Sequence, residues 1–383
     1  MRPILDCDAN ATYSPDEQIR GVISSCLNSL GNPSSTHRGG QRARADIEEA
    51  RATLRRVVGA GGADTVVFTS GATEANNMVI RGAAQRGGGL ITSALEHPCV
   101  LAPVLQYQRE GRSVVLVQPE RDGLVSVESV VRHVTPETAL VSIMLANNEV
   151  GSVNPIQEIA AAVRTIAPKA IVHTDAAQAL GKIPCVFSLL GVDAMTLSAH
   201  KIGGLSGVGA LVLRHGLELE PLIRGGAQEG KLRGGTENVL GINVFGKALE
   251  LIEKEGSERF ARMSHTRDLF ETRLTAELSD VEFHARAVSR LPNTSSVYLA
   301  GIRADDLIVA MDLERILISS GAACSSGKPE PSHVLMAMGF DEEHTRSTIR
   351  VSFRADCDDA GVERLVASLS KAVTRMRSVP RAA

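Results

Sequence analysis

Hydrophobic positions in the middle of the chain form short runs rich in β-branched residues, separated by segments with helical periodicity. Six runs predict strands: Thr65–Thr69, Val114–Val117, Leu140–Met144, Ile171–Thr174, Met195–Leu197 and Gly209–Leu213. Ile156–Ile166, between two of them, has its apolar residues at helical spacing. Apolar strands that alternate with amphipathic helices predict a mostly parallel sheet covered by helices on both faces.

The pattern changes after Gly241. Two helices and then two strands are predicted, over residues 242–255 and 258–278, then Ser295–Leu299 and Ile349–Phe353. They are typical of a smaller α+β domain. We expect a large domain over residues 15–255 and a small domain formed by residues 1–14 and 256–383.

Composition excludes several function classes. The 383 residues carry a formal net charge of -3, which gives no reason to expect a nucleic-acid or anionic-membrane partner. We find no apolar run long enough to span a bilayer and no signal-peptide core. The six cysteines show no Cys-x-x-Cys spacing, so neither a metal site nor a disulfide framework is favoured, and we expect a cytoplasmic location.

Lys201 lies between a predicted strand and a glycine-rich turn. A lysine removed from water loses its charge more easily and becomes a nucleophile, which can hold an aldehyde cofactor as a Schiff base. Taken alone, a lysine at a turn is usually a solvated surface residue. The motifs around Lys201 favour the chemical interpretation.

Ser70–Asn77 follows a predicted strand and begins a predicted helix. Small residues let backbone N–H groups approach an anion, and a helix N-terminus favours negative charge. The segment therefore predicts a phosphate site, to which Thr73 adds a hydroxyl group. A plain capping turn is the alternative, because threonine is also a good helix cap.

Polar side chains follow other predicted strands. Asp175 is suited to keeping a pyridine nitrogen protonated, and Gln178 to hydrogen-bonding a ring hydroxyl. An aspartate that caps the next helix is the alternative. His97 is a candidate for stacking on a cofactor ring and moving protons, although an isolated histidine near a strand end is more often structural.

Arg350 and Cys324 complete the candidate chemistry. A charge in the predicted strand Ile349–Phe353 needs a partner, either a substrate carboxylate or a structural salt bridge. Cys324 lies among serine and glycine residues typical of an exposed loop, where a thiol near a cation is a nucleophile. We expect the other five cysteines to be structural.

Taken in order, these motifs resemble the cysteine desulfurases, class-V aminotransferase relatives among the fold-type I pyridoxal-phosphate (PLP) enzymes. The matching segments are Asn10–Thr12, Gly31–Ser35, Phe68–Asn77, Glu96–His97, Asn147–Gly151, Asp175–Gln178, Ser198–Lys201, Gly226–Glu229, Arg233–Asn238, Cys324, Glu330–Leu335 and Arg350–Ser352. The long segment after Cys324 resembles the extended-loop branch, of the iron–sulfur and nitrogen-fixation type. The resemblance implies an α/β fold with a mostly parallel seven-stranded sheet and a smaller α+β C-terminal domain.

The resemblance also implies roles for individual residues. Cofactor binding would fall to Lys201, Ala72, Thr73, His97, Asn148, Asp175, Gln178, Ser198, His200 and Thr236. Arg350, Asn148 and Asn10 would bind substrate. Lys201, His97 and Cys324 would be catalytic, and Thr236 would come from a partner subunit, which implies a homodimer.

The implied reaction removes sulfur from L-cysteine and leaves L-alanine and a persulfide on Cys324 for an acceptor protein. An iron–sulfur scaffold, a tRNA-thiolation protein and a DNA-phosphorothioation protein all stay open as acceptors. A selenocysteine lyase, or a transaminase-like enzyme that does not need Cys324, would keep the cofactor. A degenerate relative acting only as a binding partner is a further alternative, against which the intact Lys201, Asp175, His97 and Cys324 argue.

The sequence departs from the family pattern at three places: Asp6–Ala9, Ala322 and Arg354–Cys357. We expect Cys7 to lie near the cofactor, and we expect none of the three departures to touch the chemistry.

Overall fold

The computed structural model describes residues 3–27, 31–321 and 330–378. The helices are α1 Glu17–Cys26, α2 Arg38–Val57, α3 Ala72–Gln85, α4 Pro98–Arg109, α5 Val127–Val131, α6 Ile156–Ile166, α7 Phe187–Leu190, α8 Val239–Glu277, α9 Ala304–Leu313, α10 His333–Ala337, α11 Glu342–Arg346 and α12 Asp359–Ser378. The strands are β1 Leu5–Asp6, β2 Thr65–Thr69, β3 Gly89–Ser93, β4 Val114–Val117, β5 Thr138–Ser142, β6 Ile171–Asp175, β7 Ala194–Ser198, β8 Gly209–Leu213, β9 Val281–Phe283, β10 Thr294–Leu299, β11 Ile316–Leu317, β12 Ser319–Ser320 and β13 Thr348–Ser352.

Seven strands form one large sheet in the order β2-β8-β7-β6-β5-β3-β4. Only β8 runs against its neighbours, so the prediction of a mostly parallel sheet is confirmed. All six predicted strands form, with β5 two residues earlier than expected. The pattern did not indicate β3, because two of its five residues, Thr92 and Ser93, are polar although they have no exposed surface.

Successive residues of the large sheet enter different hydrophobic cores. Val66, Val141 and Val172 pack on one face with α2, α6 and α8. Val67 and Leu140 pack on the other face with α3 and α4. Adjacent side chains of a strand point to opposite faces, so continuous apolar runs are expected where helices cover both.

The clusters on the two faces of the large sheet together form the large core. A separate hydrophobic cluster, the second core, surrounds the antiparallel sheet β12-β13-β10-β9. Helix α8 reaches both cores: Phe245 lies in the large one and Phe270 in the second. The two helices predicted here form as the two halves of α8, which meet at Gly256, where the backbone is not helical (φ 52° and ψ -137°). Cys7 is also fully buried in the second core.

In the part of the chain that the structure describes, we find no helix that is both long enough and apolar enough to cross a membrane.

Candidate active site

Three strands bring the predicted chemistry to one edge of the large sheet. Strands β2, β6 and β7 run in the same direction, so their carboxyl ends lie together. Ala72 and Thr73 begin α3 just after β2, and Asp175 ends β6. Ser198 ends β7, and His200 and Lys201 follow it in a 3-10 turn. Such an edge is where α/β sheets bind ligands.

Lys201 is held by the N-terminal segment of the chain. Its Nζ donates hydrogen bonds to the backbone oxygens of Asn10 at 2.7 Å and Ala11 at 2.9 Å. Burial, and then the positive charge of Arg350, lower the pKa of Lys201 to about 8. This amine therefore becomes an uncharged nucleophile at a lower pH than an exposed lysine does.

Asp175 is buried next to an incompletely satisfied amide. Its Oδ2 accepts a hydrogen bond from Asn76 Nδ2 at 2.7 Å, and its Oδ1 accepts one from the Ala177 backbone N–H at 2.9 Å. The oxygen of Asn76, Oδ1, is buried and has no hydrogen-bond partner among the described residues. The carboxylate thus supports the local turn, as the capping alternative predicted, and also supplies negative charge to the site.

The start of α3 has the features of a phosphate site. Gly71 occupies the cap position with no side-chain hydrogen bond there, so the alternative of a threonine cap is not what forms. A Cβ atom on Gly209 would lie 2.6 Å from the Gly71 carbonyl carbon, so only glycine fits where β8 meets this turn. Thr73 is exposed on the first turn, where free N–H groups favour an anion.

Two histidines at this edge stay neutral near pH 7. Burial, followed by the charges of Lys201 and Lys182, lowers the pKa of His200 to about 4. His200 Nδ1 lies 3.2 Å from Thr12 Oγ1. His97 caps α4, and desolvation lowers its pKa, while the charge of Asp175 opposes that shift. An uncharged imidazole is suited to stacking on a ring.

Arg350 has one of the two partners that the sequence left open, a structural salt bridge, and a backbone oxygen besides. Its Nη2 donates to Asp8 Oδ1 at 2.7 Å, which is the structural salt bridge, and its Nη1 donates to the Asn148 backbone oxygen at 3.1 Å. Its Nε is buried with no hydrogen-bond partner in the described residues. The expectation that Asp6–Ala9 does not touch the site was therefore wrong. Asp8 reaches Arg350 because it bridges to Ser352, two residues along β13.

Asn10 lies beneath Lys201 and has its amide engaged within the protein. The amide nitrogen donates to Asn148 O at 3.1 Å and Thr294 Oγ1 at 2.9 Å. The amide oxygen accepts from Lys182 Nζ at 2.8 Å and from Asn293. Substrate binding by Asn10 stays a prediction from the resemblance, and the structure shows its backbone oxygen accepting a hydrogen bond from Lys201.

Lys182 is a site residue that the sequence reasoning missed. It is 2 % exposed, and its Nζ also lies 2.5 Å from Gln178 Oε1. Gln178 in turn donates from Nε2 to the Asn10 backbone oxygen at 2.9 Å. The spacing of four residues between Gln178 and Lys182 was a usable signal, whereas the contact with Asn10 joins residues far apart in sequence.

Two predicted residues remain, Thr236 and Cys324. Thr236 is exposed, in the segment whose Arg233 forms a 3.1 Å salt bridge with Glu74 on α3. Cys324 lies outside the described residues. The described chain before it pairs with β13, where Ser319 faces Arg350, and after it Ser332 donates to Glu149 Oε2 at 2.5 Å.

Comparisons with known proteins identify the family. Residues 5–365 match the model of the aminotransferase class-V family. The chain is 38 % identical over 354 residues to the cysteine desulfurase IscS of Dictyoglomus turgidum, covering 91 % of this chain and 89 % of that one. A solved NifS-like protein aligns with TM-score 0.89 at 32 % identity, over 97 % of this chain and all 100 % of that one. A structure of SspA in complex with cysteine aligns with TM-score 0.80 at 32 % identity, over 92 % and 99 %.

The fold and the site thus define a fold-type I PLP enzyme, and the chain belongs to the class-V aminotransferase family. Within that family it is a cysteine desulfurase. The sequence-based expectations of fold, family and cofactor are confirmed. The selenocysteine lyase and transaminase alternatives are not favoured.

The residues present fit PLP. The aldehyde needs a lysine that loses its proton readily, and Lys201 has a lowered pKa. The pyridine nitrogen needs a buried carboxylate, and Asp175 is 7 % exposed. The phosphate needs N–H groups without a side-chain cap, and α3 offers them.

Proposed function

We propose that this enzyme removes sulfur from L-cysteine with PLP bound to Lys201, and passes the sulfur through Cys324 to an acceptor protein. The observation that carries the proposal is Lys201, with its lowered pKa, at the same sheet edge as Asp175 and the start of α3. When bound, PLP supplies an electron sink that acidifies the substrate's α-proton.

Each cofactor contact has a residue suited to it. Ala72, Thr73, Ser198 and His200 hold the phosphate, at a helix N-terminus that favours negative charge. Asp175 keeps the pyridine nitrogen protonated, and Gln178 donates to the ring oxygen. His97 stacks on the ring with its uncharged imidazole, and Asn148 lies beside the cofactor.

Substrate handling falls to residues around Arg350. Its guanidinium, with a buried Nε lacking a partner in the described residues, holds the substrate carboxylate beside Asn148. Lys201 moves the proton at the substrate's α-carbon. The Cys324 thiolate then attacks the substrate sulfur: a sulfur–sulfur bond forms, the carbon–sulfur bond breaks, and the carbon takes a proton to give alanine.

Lys201→Ala and Cys324→Ala test this assignment. PLP-loaded protein is incubated with L-cysteine, and alanine release and protein-bound persulfide are measured. Wild type and the matched control Cys26→Ala are expected to give both products. Lys201→Ala is expected to give neither, because no amine remains to move the proton. Cys324→Ala is expected to form no persulfide. Persulfide at wild-type level in Cys324→Ala would refute the role of that thiol.

The homodimer is the second part of the proposal. Thr236 is exposed next to the start of α3, which suits a residue that serves a partner's phosphate site. Mixing Lys201→Ala subunits with Thr236→Val subunits tests it, because a mixed dimer would combine an intact Lys201 with an intact Thr236 at one site. PLP affinity at half of the sites is then expected to recover. If the wild-type protein sedimented as a monomer, or if the mixture recovered no PLP affinity, the shared site would be contradicted.

The compartment follows from the same chemistry. We propose a cytoplasmic location, because a persulfide carried on Cys324 needs a reducing environment.

A further inference from the structure

Lys182 is a buried lysine that the proposed chemistry does not use. It lies in the turn after β6, and its Nζ contacts two neutral oxygens, Gln178 Oε1 at 2.5 Å and Asn10 Oδ1 at 2.8 Å. Among the described residues it forms no salt bridge. Burial and the charges of Lys201, Arg350 and Arg259 hold the pKa of Lys182 well below its usual range. A buried lysine without a carboxylate is costly, so its retention here calls for a reason.

Lys182 and the Asn10 backbone oxygen together decide which way the Gln178 amide faces. Charged or neutral, a lysine nitrogen carries at least two N–H groups, enough to serve both oxygens. The Gln178 oxygen therefore faces Lys182, and its nitrogen gives one N–H to the Asn10 backbone oxygen at 2.9 Å. The second N–H of that nitrogen is left for a ligand. Without Lys182, only the acceptor Asn10 O would hold the amide in this orientation, and the Gln178 oxygen would lose its donor.

We propose that Lys182 is a positioning residue, which fixes the Gln178 amide so that its nitrogen, and never its oxygen, meets the cofactor's ring oxygen. The inference rests on the proposed contact between Gln178 and PLP. Lys182 makes Gln178 the donor, and not the acceptor, in that contact. Asn10 belongs to the same arrangement, because it accepts from both Gln178 and Lys182.

The consequence is a change in how the bound cofactor titrates. A hydrogen bond donated to the cofactor's ring oxygen stabilises the negative form of that oxygen. This lowers the pKa of the neighbouring protonated group whose titration changes the cofactor's absorbance. Lys182→Met keeps an unbranched side chain as far as Cε and removes the Nζ donor. Only the Asn10 contact then orients the amide, so Gln178 can turn its oxygen toward the ring. The pH midpoint of the cofactor's absorbance change is then expected to rise by about one pH unit.

The experiment compares absorbance against pH for PLP-loaded wild type, Lys182→Met, Gln178→Leu and the double variant. If Lys182 acts through Gln178, Lys182→Met raises the midpoint in wild type and adds nothing to Gln178→Leu. The inference would be overturned if Lys182→Met raised the midpoint equally in wild type and in Gln178→Leu, or if it left the wild-type midpoint unchanged. Lys169→Met, an exposed lysine outside the site, is the matched control and is expected to titrate as wild type.

Two safeguards keep the outcome interpretable. If Lys182→Met does not fold, Lys182→Gln takes its place. Its shorter side chain can replace only one of the two hydrogen bonds, so a smaller rise of the midpoint is expected, and a wild-type midpoint in folded Lys182→Gln would count against the inference. A wild type that binds no PLP would refute the proposed function instead, so the two failures are distinguishable.

Discussion

Glu96 is a fully buried carboxyl group next to His97, the histidine proposed to stack on the cofactor. Its Oε1 accepts hydrogen bonds from the Met144 backbone N–H at 2.8 Å and from Ser93 Oγ at 2.7 Å, while Oε2 has no partner among the described residues. Burial raises the pKa of Glu96 to about 8. The folded protein therefore holds this proton at neutral pH, whereas an unfolded chain releases it near an ordinary glutamate pKa.

Glu96→Gln is expected to change how stability depends on pH. Between about pH 4.5 and 8 the folded state binds one more proton at Glu96 than the unfolded state does, so the free energy of unfolding falls as pH rises. The variant removes that term, which amounts to about 1.4 kcal/mol per pH unit at most. Urea unfolding at pH 5, 6, 7 and 8 measures it. Exposed Glu158→Gln is the control, and parallel pH profiles for Glu96→Gln and wild type would contradict the prediction.

The charges around Lys201 predict how PLP uptake responds to pH. Lys201 must be neutral to react, so uptake by PLP-free protein is expected to slow below its pKa of about 8. Arg350 lowers that pKa and Asp8 raises it. The pH midpoint of the uptake rate should therefore rise in Arg350→Met and fall in Asp8→Asn. Arg273→Met, an exposed cation on α8, should leave it unchanged, and a common direction for Arg350→Met and Asp8→Asn would refute the electrostatic account.

At the residue scale, the local sequence was enough to locate candidate residues that lie at strand ends. It could not locate residues whose importance comes from contacts with distant parts of the chain. Lys201, Asp175 and Thr73 each follow a strand, so a strand prediction locates them. Lys182 and Asp8 gain their importance from Asn10 and Arg350, which come from distant parts of the chain. No local pattern carries that information.

At the scale of elements, the sequence predicted the strands and helices whose hydrophobic positions are continuous or periodic. Strands β2, β4 and β8 and helix α6 have the predicted bounds, because their apolar positions are continuous or amphipathic. Strand β3 was not predicted, because the buried residues at its C-terminal end, Thr92 and Ser93, are polar. The reversed direction of β8 depends on the short connection from β7, in which the lysine turn lies, and not on the composition of the strand.

Two short helices offer a matched test of how the chain after Cys324 is fixed. Ser332 caps α10 by accepting a hydrogen bond from the Leu335 backbone N–H at 3.1 Å. Ser126 caps α5 in the same way, accepting from the Ser129 backbone N–H at 3.3 Å. Ser332 Oγ also donates to Glu149, whose pKa burial raises to about 7. Ser126→Ala is expected to cost about 1 kcal/mol of unfolding free energy. Ser332→Ala should cost about 1–3 kcal/mol more, because it leaves a buried acceptor unpaired.

The Ser332 bond also favours the ionised form of Glu149. The extra loss in Ser332→Ala should therefore grow as pH rises through about 7, where Glu149 ionises. Urea unfolding of the two alanine variants at pH 6 and 8 separates these contributions. Equal losses for Ser126→Ala and Ser332→Ala at pH 8 would show that the Glu149 contact does not stabilise the fold.

For the whole molecule, the N-terminal segment joins the two hydrophobic cores at the active site. Asn10 bonds to Lys201 and Gln178 from the large sheet, and to Thr294 and Ser352 from the second sheet. We propose the predicted division, with residues 15–255 in one domain and residues 1–14 and 256–383 in the other. The sequence pattern predicted the boundary near residue 255 and assigned residues 1–14 to the small domain, although Asn10 in that segment has partners from both parts.

Gly256 is where α8 passes from one core to the other, so its backbone sets how the two halves of the helix meet. Its φ of 52° with ψ of -137° is a conformation that side chains with a Cβ atom disfavour, although open space surrounds it. Gly256→Ala is therefore expected to lower the unfolding free energy by about 1–3 kcal/mol. Gly21→Ala, the same change within α1, meets no atom within 4 Å and should instead add about 0.5–1 kcal/mol.

Urea unfolding of these two variants, each with and without PLP, distinguishes strain from a displaced domain. Strain alone lowers stability equally in both states, since it acts on α8 far along the chain from Lys201. If alanine instead straightens α8, the second core shifts relative to the large sheet, and Arg350 and Asn10 move away from Lys201. Gly256→Ala would then lose PLP affinity as well as stability. A Gly256→Ala protein as stable as Gly21→Ala would mean that the break in α8 is not needed to bring the two cores together.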